Sequence, residues 1–583
     1  MTNRNHILDF LKGIAIIAVV LYHWGISTYG YLGVDVFFVI SGYLVTKSII
    51  RECESSVSFS YFGYLNKRVA RLWPGLILIS LISLVLGWVW MLPLHFKLDC
   101  ESVVGTILFG NNFVQYLTSG NYWMADNEYK PLMHTWYIGV LMQFYLIYPL
   151  VFILSKKLSR NWKSTSLVLL GMMSLFSLIL YMSSMMSVSQ NFYMLPGRFF
   201  ELGFGGILVL ISDDVVFDKN KFNYFCFVTV FLVLLLFGTP IDVSKLRLVV
   251  VVLFSLALVW VSKNLIITSF GLKIISPLCY LGVITYSLYL SHQVLFAFYR
   301  YIFASDFSFS SHVVILILSL VLGVCFYLIF EKPLSHFIIS RKRNIYVVNL
   351  ISAFFAIVLV VIAYDYYKRD GLVRDIPELD LYVGKNNITP EDYNSKIFVY
   401  DIDFPSNSRK NILVIGDSFG RDWINVMLES GVDSIYNISY RTEVDTILLR
   451  RIHDADYIFV ANNASIYDKY DEILPYLMKS DFYRVGIKGY GSWVGQVYNN
   501  DRYGSGYYHQ QVEISERVKR IDVSEKNVFA ERYIDMLGIV KGDENKIFIF
   551  TPDNKLISQD CLHFTQAGAK YYAEKLDVWS YLK

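Results

Sequence analysis

Up to residue 364 the sequence repeats one pattern. Stretches of about 20 mostly apolar residues follow one another, separated by short polar loops. The clear stretches are 7–28, 31–50, 72–94, 132–155, 164–184, 195–212, 222–239, 246–262, 275–298, 312–331 and 344–364. A run of this length in hydrocarbon satisfies its backbone internally only as a helix. The pattern therefore predicts a polytopic α-helical membrane bundle of about 11 spans. The stretch 99–118 is amphipathic and suits an interface. Composition agrees. Of 583 residues, 55% are hydrophobic and 17% charged, against about 25% charged in a soluble domain. These values exclude a disordered chain and an ordinary cytosolic enzyme. A formal charge of +3 gives no basis for a nucleic-acid partner.

Arg4 before an apolar run resembles a signal peptide, but Asp9 and Lys12 interrupt the run and no small-residue cleavage site follows. It reads as an uncleaved first span. Basic residues set the orientation. Arg51, Lys67, Arg68 and Arg71 follow the second span, Lys156, Lys157, Arg160 and Lys163 the fourth, and Lys332, Arg341, Lys342 and Arg343 the tenth. An N-terminus in the cytoplasm follows, and an odd number of spans puts the C-terminal region in a periplasm or beyond.

The character changes after the membrane part, residues 1–364. Residues 365–410 are polar and mixed, as in a linker or domain extension, and 411–583 read as an α/β domain. NILVIGDSFG is a buried strand entering a loop, DADYIFVANN a second strand and KIFIFTP a third. The stretch 530–542 reads as helical, and GAKYYAEKL as a terminal helix. Strands alternating with helices predict a parallel sheet in an α/β/α sandwich. Gly416-Asp417-Ser418 closes the first strand, where nucleophiles of open α/β sheets sit. A serine hydroxyl needs a base. Asp560-Cys561-Leu562-His563 supplies one, with an acid three residues away to hold the imidazole tautomer.

This pairing resembles the SGNH hydrolase family over roughly 411–580. The resemblance implies Ser418 as nucleophile, His563 as base and Asp560 as its orienter. It also implies an oxyanion hole from the Ser418 amide, a glycine and an asparagine, the last being Asn462 or Asn463.

Charged and titratable residues inside spans are costly and functional by default. The first span holds Asp9, Lys12 and His23, the second Asp35, the fourth His134, the sixth Arg198 and Glu201, and the ninth His292. Lys12 and His23 fall on nearly one helical face, about 16 Å apart. Arg198 and Glu201 are i,i+3 neighbours able to pair. His23 is the side chain best suited to exchange a proton near neutral pH. Arg68-Val-Ala-Arg71 presents two guanidinium forks suited to phosphate.

The segments ILDFLKGIAIIAVVLYH, GVDVFFVISGYL, KRVARLWPG, MHTWYIGVLMQFYLIYPL, GRFFELGFG and YSLYLSHQVL resemble the acyltransferase-3 family over roughly 5–340. With the C-terminal SGNH-like domain, the arrangement looks like bacterial O-acetyltransferases of lipopolysaccharide O-antigen and of peptidoglycan. Two departures stand out. Lys12 replaces the family's usual Arg, and Leu141 and Met142 replace its usual pair of Glu.

The resemblance implies an acetyl-CoA donor gripped by Arg68, Arg71 and Lys12 on the cytoplasmic face of a bacterial inner membrane. His23 would be general base or transient acceptor, with Asp35 or Lys12 supporting it, and His134, Arg198, Glu201 and His292 would be supporting polar residues. Acetyl then passes to Ser418 and on to a sugar hydroxyl of a surface glycan, most readily O-antigen, with peptidoglycan or capsule as alternatives. A polytopic transporter with an accessory esterase domain is the rival class. The six cysteines fit neither a metal site nor a disulfide framework, although a Cys100–Cys561 bridge is conceivable. Tyr503, Tyr507 and Tyr508 offer aromatic faces to a sugar.

Overall fold

The computed structural model describes residues 5–55, 59–118, 127–211, 221–238, 244–262, 269–303, 309–477, 482–491 and 504–582. The chain divides into two units. One comprises Met1–Val89, Leu94–Arg300 and Asp306–Gly371, the other Trp90–Pro93, Tyr301–Ser305 and Leu372–Lys583.

The first unit is all-helical. Each of the 11 predicted stretches falls on a helix, but fewer qualify as simple spans. Among the described residues, 8 helices are long and apolar enough to cross a membrane, or 9 if one bent pair counts as a span. That pair, Gly271–Val283 and Thr285–Phe303, is bent by 65°, so the predicted 275–298 helix is broken. Tyr224–Phe237 is apolar but short. Ser244–Val261 is a further apolar helix, with Lys245 and Arg247 in its first turn. The amphipathic stretch becomes two helices, Pro93–Ile107 and Asn111–Thr118.

Local chemistry explains the ends. The Asn5 side chain caps the first helix, His6–His23, by accepting from the amides of Ile7 and Leu8. Glycines let helices meet backbone to backbone. A Cβ on Gly13 would stand 2.1 Å from the Leu278 carbonyl oxygen, and one on Gly282 1.8 Å from that of Asp9. Gly42 and Gly205 bring Gly33–Glu54 and Leu195–Ile211 together in the same way. The last two long helices, Phe309–Ser340 and Arg343–Lys368, leave most of their apolar surface uncovered, as a lipid-facing surface requires.

The second unit is built on a five-stranded parallel sheet. Its strands are β1 (Asn411–Gly416), β2 (Asn437–Arg441), β3 (Tyr457–Ala461), β4 (Phe482–Val485) and β6 (Tyr533–Ile534), in the order β2-β1-β3-β4-β6. β5 (Gln511–Glu513) and β7 (Lys546–Phe548) form a separate antiparallel pair. Alternation drives the layering. Ile412 and Val414 of β1 join the core on one face, while Leu413 and Ile415 join that on the other. β3 divides likewise, Tyr457 and Phe459 from Ile458 and Val460. With both faces covered, β1 is apolar from Ile412 to Ile415, as parallel strands are.

Two predicted elements change. The KIFIFTP strand pairs with β5 outside the parallel sheet. The stretch 530–542 contains β6 between two short helical turns, Ala530–Arg532 and Met536–Ile539. Within 365–410, Ile376, Leu379, Leu381, Tyr393 and Ile397 are buried in the core of the α/β unit, so this stretch is domain material rather than a bare tether.

Candidate functional sites

β1 lies between β2 and β3, so the strand order reverses at its carboxyl end, the point where open α/β sheets bind ligands. Gly416 ends the strand so close to β3 that a Cβ would sit 1.8 Å from the Ala461 carbonyl oxygen. Asp417 then caps the helix Ser418–Glu429, accepting from the Phe419 amide at 2.9 Å. Its other oxygen accepts from the Asn463 amide at 3.0 Å, tying the ends of β1 and β3 together. Ser418 is thus the first residue of a helix, where an amide has no intrahelical partner.

His563 and Asp560 approach from the C-terminal loop. His563 Nε2 lies 2.8 Å from Ser418 Oγ, and Nδ1 pairs with an Asp560 carboxylate oxygen. Asp560 Oδ1 accepts from the amides of His563 at 2.8 Å and Leu562 at 3.0 Å. Burial alone would raise the Asp560 pKa. The attraction of His563 and these hydrogen bonds outweigh it and hold the carboxyl well below the usual carboxylate range. The acid stays ionised, as an orienter of imidazole must. All three sequence-predicted residues are therefore in one hydrogen-bonded line.

Asn462 is aimed elsewhere. Its side-chain amide donates to the carbonyls of Ala464 at 3.0 Å and Ser465 at 3.4 Å, so both N–H groups are spent on its own turn. Of the tyrosines expected to offer aromatic faces to a sugar, Tyr507 and Tyr508 are half-buried. Tyr507 packs edge-on against Phe550, and Tyr508 against His509. Tyr503 lies outside the described residues. Cys100 and Cys561 are both buried.

The membrane unit holds a half-open cavity of about 450 Å³, within the range of ligand sites. Lys12, Arg68 and Arg71 line it together, with Tyr137, Tyr289 and Glu331. The Arg68 guanidinium lies over the rings of Tyr64 and Tyr145, at 5.1 and 5.2 Å. Leu141, one of the two positions where the family's acids are replaced, is a lining residue.

Tyr289 leads from this cavity to a histidine cluster. Its hydroxyl donates to the His134 carbonyl oxygen. The His292 ring centroid lies 5.2 Å from that of His23 and 5.4 Å from that of His134. Arg300, which the sequence did not flag, donates to the His23 carbonyl oxygen at 2.8 Å.

Asp35 belongs to a different group. Its carboxylate accepts from Arg198 Nη1 at 2.7 Å, and Glu201 accepts from the same nitrogen at 3.1 Å. All three are buried. The expected support of His23 by Asp35 is thus replaced by an Asp35–Arg198–Glu201 cluster, because the facing of separate helices is not written in either one. Among the described residues no group of metal-ligating side chains is assembled.

A family model described as an acyltransferase domain matches residues 5–331. The chain belongs to this acyltransferase family. The matched stretch contains the cavity's three cations, the histidine cluster and the Arg198 cluster, and it ends before the first strand of the parallel sheet, Asn411–Gly416. Among curated proteins, the O-acetyltransferase OatA of Staphylococcus aureus strain NCTC 8325 / PS 47 is 30% identical over 174 residues, 28% of this chain and 28% of its own. The peptidoglycan O-acetyltransferase OatA of Listeria monocytogenes serovar 1/2a is 27% identical over 209 residues, 35% of this chain and 33% of its own. An uncharacterized protein of Haemophilus influenzae is 36% identical over 160 residues, 27% of this chain and 62% of its own. The similarity therefore spans less than two thirds of each of these relatives. No solved structure matches.

Proposed function

We propose that this acyltransferase is a membrane O-acetyltransferase that moves acetyl from cytoplasmic acetyl-CoA to a sugar hydroxyl of an envelope glycan. The observation that carries the reading is the 2.8 Å contact between His563 Nε2 and Ser418 Oγ, with Asp560 behind the ring, in a chain of the acyltransferase family.

Lys12, Arg68 and Arg71 suit the donor. Three cations around a cavity of about 450 Å³ match the phosphates of a coenzyme, and its aromatic walls suit an apolar arm. His23 takes the acetyl as the delivering group: its ring nitrogen attacks the thioester carbonyl, the C–S bond breaks, and the coenzyme leaves as its thiol with a proton that His292 and His134 can relay. At the second site His563 takes the Ser418 proton as Oγ attacks the acyl carbonyl, and Asp560 stabilises the resulting imidazolium. The acyl–serine ester forms as the bond to the delivering group breaks, and that group leaves with the proton. A glycan hydroxyl then attacks the ester, His563 takes its proton, and Ser418 is released as the alcohol. The topology proposed has the N-terminus cytoplasmic and the serine unit outside, so donor and acceptor never share a compartment.

O-antigen is the acceptor we favour. Peptidoglycan is the second reading, supported by the name of the Listeria relative. The test is NMR of O-antigen and peptidoglycan from cells carrying the wild-type chain, Ser418→Ala or His23→Ala. Loss of O-acetyl from one polymer in both variants, with protein present, is expected. Full acetylation in Ser418→Ala would overturn the acyl-serine step.

A further inference from the structure

A buried ion pair stands directly behind His563. Lys488 Nζ lies 2.7 Å from Asp422 Oδ2, with side-chain exposures of 2% and 0%. Neither residue belongs to the triad. The Lys488 ammonium sits over the Phe419 ring at 3.6 Å and near the Phe564 ring at 4.7 Å, so its remaining faces see aromatic quadrupoles rather than water.

The partners of this pair are the notable point. Lys488 also donates to the Leu562 carbonyl oxygen, and Asp422 Oδ2 accepts from the Phe564 amide at 3.3 Å. Those two groups belong to the peptide bonds on either side of His563. The pair therefore grips the backbone before and after the histidine at once. Asp422 stands one helical turn beyond Ser418 on the helix that begins with the nucleophile. Its Oδ1 accepts from Asn394 Nδ2 at 2.6 Å, and Asn394 also reaches the Ser418 carbonyl oxygen at 3.5 Å. One short network thus joins the helix of the serine to the loop of the histidine.

We propose that Lys488 and Asp422 are positioning residues that set the distance and angle of the His563 ring to Ser418. The inference rests on the reading of Ser418 and His563 as nucleophile and base. The 2.8 Å contact joins groups 145 residues apart in sequence. Asp560 fixes the ring's rotation, but it lies in the same loop as His563 and cannot fix that loop against Ser418. The Lys488–Asp422 pair can, because Asp422 moves with the serine's helix. A buried ion pair kept for stability alone is replaceable by apolar side chains of similar size at little cost. A pair that sets a reacting distance is not, since a misplacement of about 1 Å costs roughly 100-fold in rate.

The test uses the full chain in detergent, with 4-nitrophenyl acetate hydrolysis and labelling of Ser418 by a fluorophosphonate as readouts, and thermal melting as the control. Lys488→Met, Asp422→Asn and the double variant Lys488→Met/Asp422→Leu are compared with wild type and Ser418→Ala. The proposal expects kcat and the labelling rate to fall about 100-fold with KM within twofold, in the double variant with its melting preserved. Wild-type rates in the double variant overturn it, as does loss of folding there, which would make the pair a stability element. Equal labelling of wild type and Ser418→Ala instead removes the nucleophile reading on which it rests.

Discussion

Asp560→Asn is the sharpest probe of the serine site, because the two carboxylate oxygens do different work. Oδ1 accepts from the amides of Leu562 and His563, and Oδ2 faces His563 Nδ1. An asparagine keeps its oxygen where the two amides converge, which turns its NH₂ group toward the imidazole. Two donors would then oppose each other, so the ring takes the other tautomer, with Nδ1 accepting and Nε2 carrying the proton. Nε2 is the nitrogen 2.8 Å from Ser418 Oγ, and it loses the lone pair that would accept the serine proton. The geometry survives and the base does not. A wrong-tautomer change of this kind costs about 10⁴ in kcat, or roughly 5.5 kcal/mol of transition-state stabilisation. The assay is hydrolysis of 4-nitrophenyl acetate by the full chain, with Ser418 labelling in parallel and melting as the fold control. Activity within about tenfold of wild type would refute the assignment of Asp560 as the residue holding the tautomer.

Other outcomes follow from the same structure. Arg68→Ala and Arg71→Ala should each raise the KM for acetyl-CoA about 10- to 100-fold, the worth of a charge-assisted hydrogen bond to phosphate; unchanged coenzyme dependence in an acetyl-transfer assay would remove the phosphate role. Arg198→Met leaves the buried Asp35 and Glu201 carboxylates without their shared cation and should destabilise the membrane unit by about 3–5 kcal/mol, seen as lost yield of folded protein. The combined Asp35→Asn, Glu201→Gln and Arg198→Met variant should recover most of that yield. Asp560 has a folded pKa below its unfolded value, so its contribution to stability is complete above about pH 4 and is lost as pH falls toward the folded value. Melting temperature should therefore drop on acidification below about pH 4, and Asp560→Asn should flatten that part of the curve.

Strand-end chemistry was legible in the sequence because it is local. An apolar run closing on Gly-Asp-Ser predicts a nucleophile position, and Asp560 and His563 are close enough in sequence to imply their own contact. Lys12, Arg68 and Arg71 were legible as charges that must find a use. What escaped was pairing across elements. Asp35, expected with Lys12 as a candidate support of His23, is paired with Arg198 by the packing of two separate helices. Lys488 and Asp422 carried no signal, since their meaning arises only when β4, the serine's helix and the C-terminal loop converge. The break between Gly271–Val283 and Thr285–Phe303 escaped too, because hydropathy registers apolar length and not direction.

The glycine contacts of the membrane unit bear on how such a protein can work. Where Gly13 and Gly282 seat two helices on each other's carbonyl oxygens, and Gly42 and Gly205 do the same for another pair, neither helix can slide or roll past its mate without backbone collision. Each pair is in effect one stiff beam. A machine that rocks two halves to open alternately needs gliding seams between its parts, and these seams are locked. On the proposed function, any opening of this unit has to come at contacts other than these two pairs.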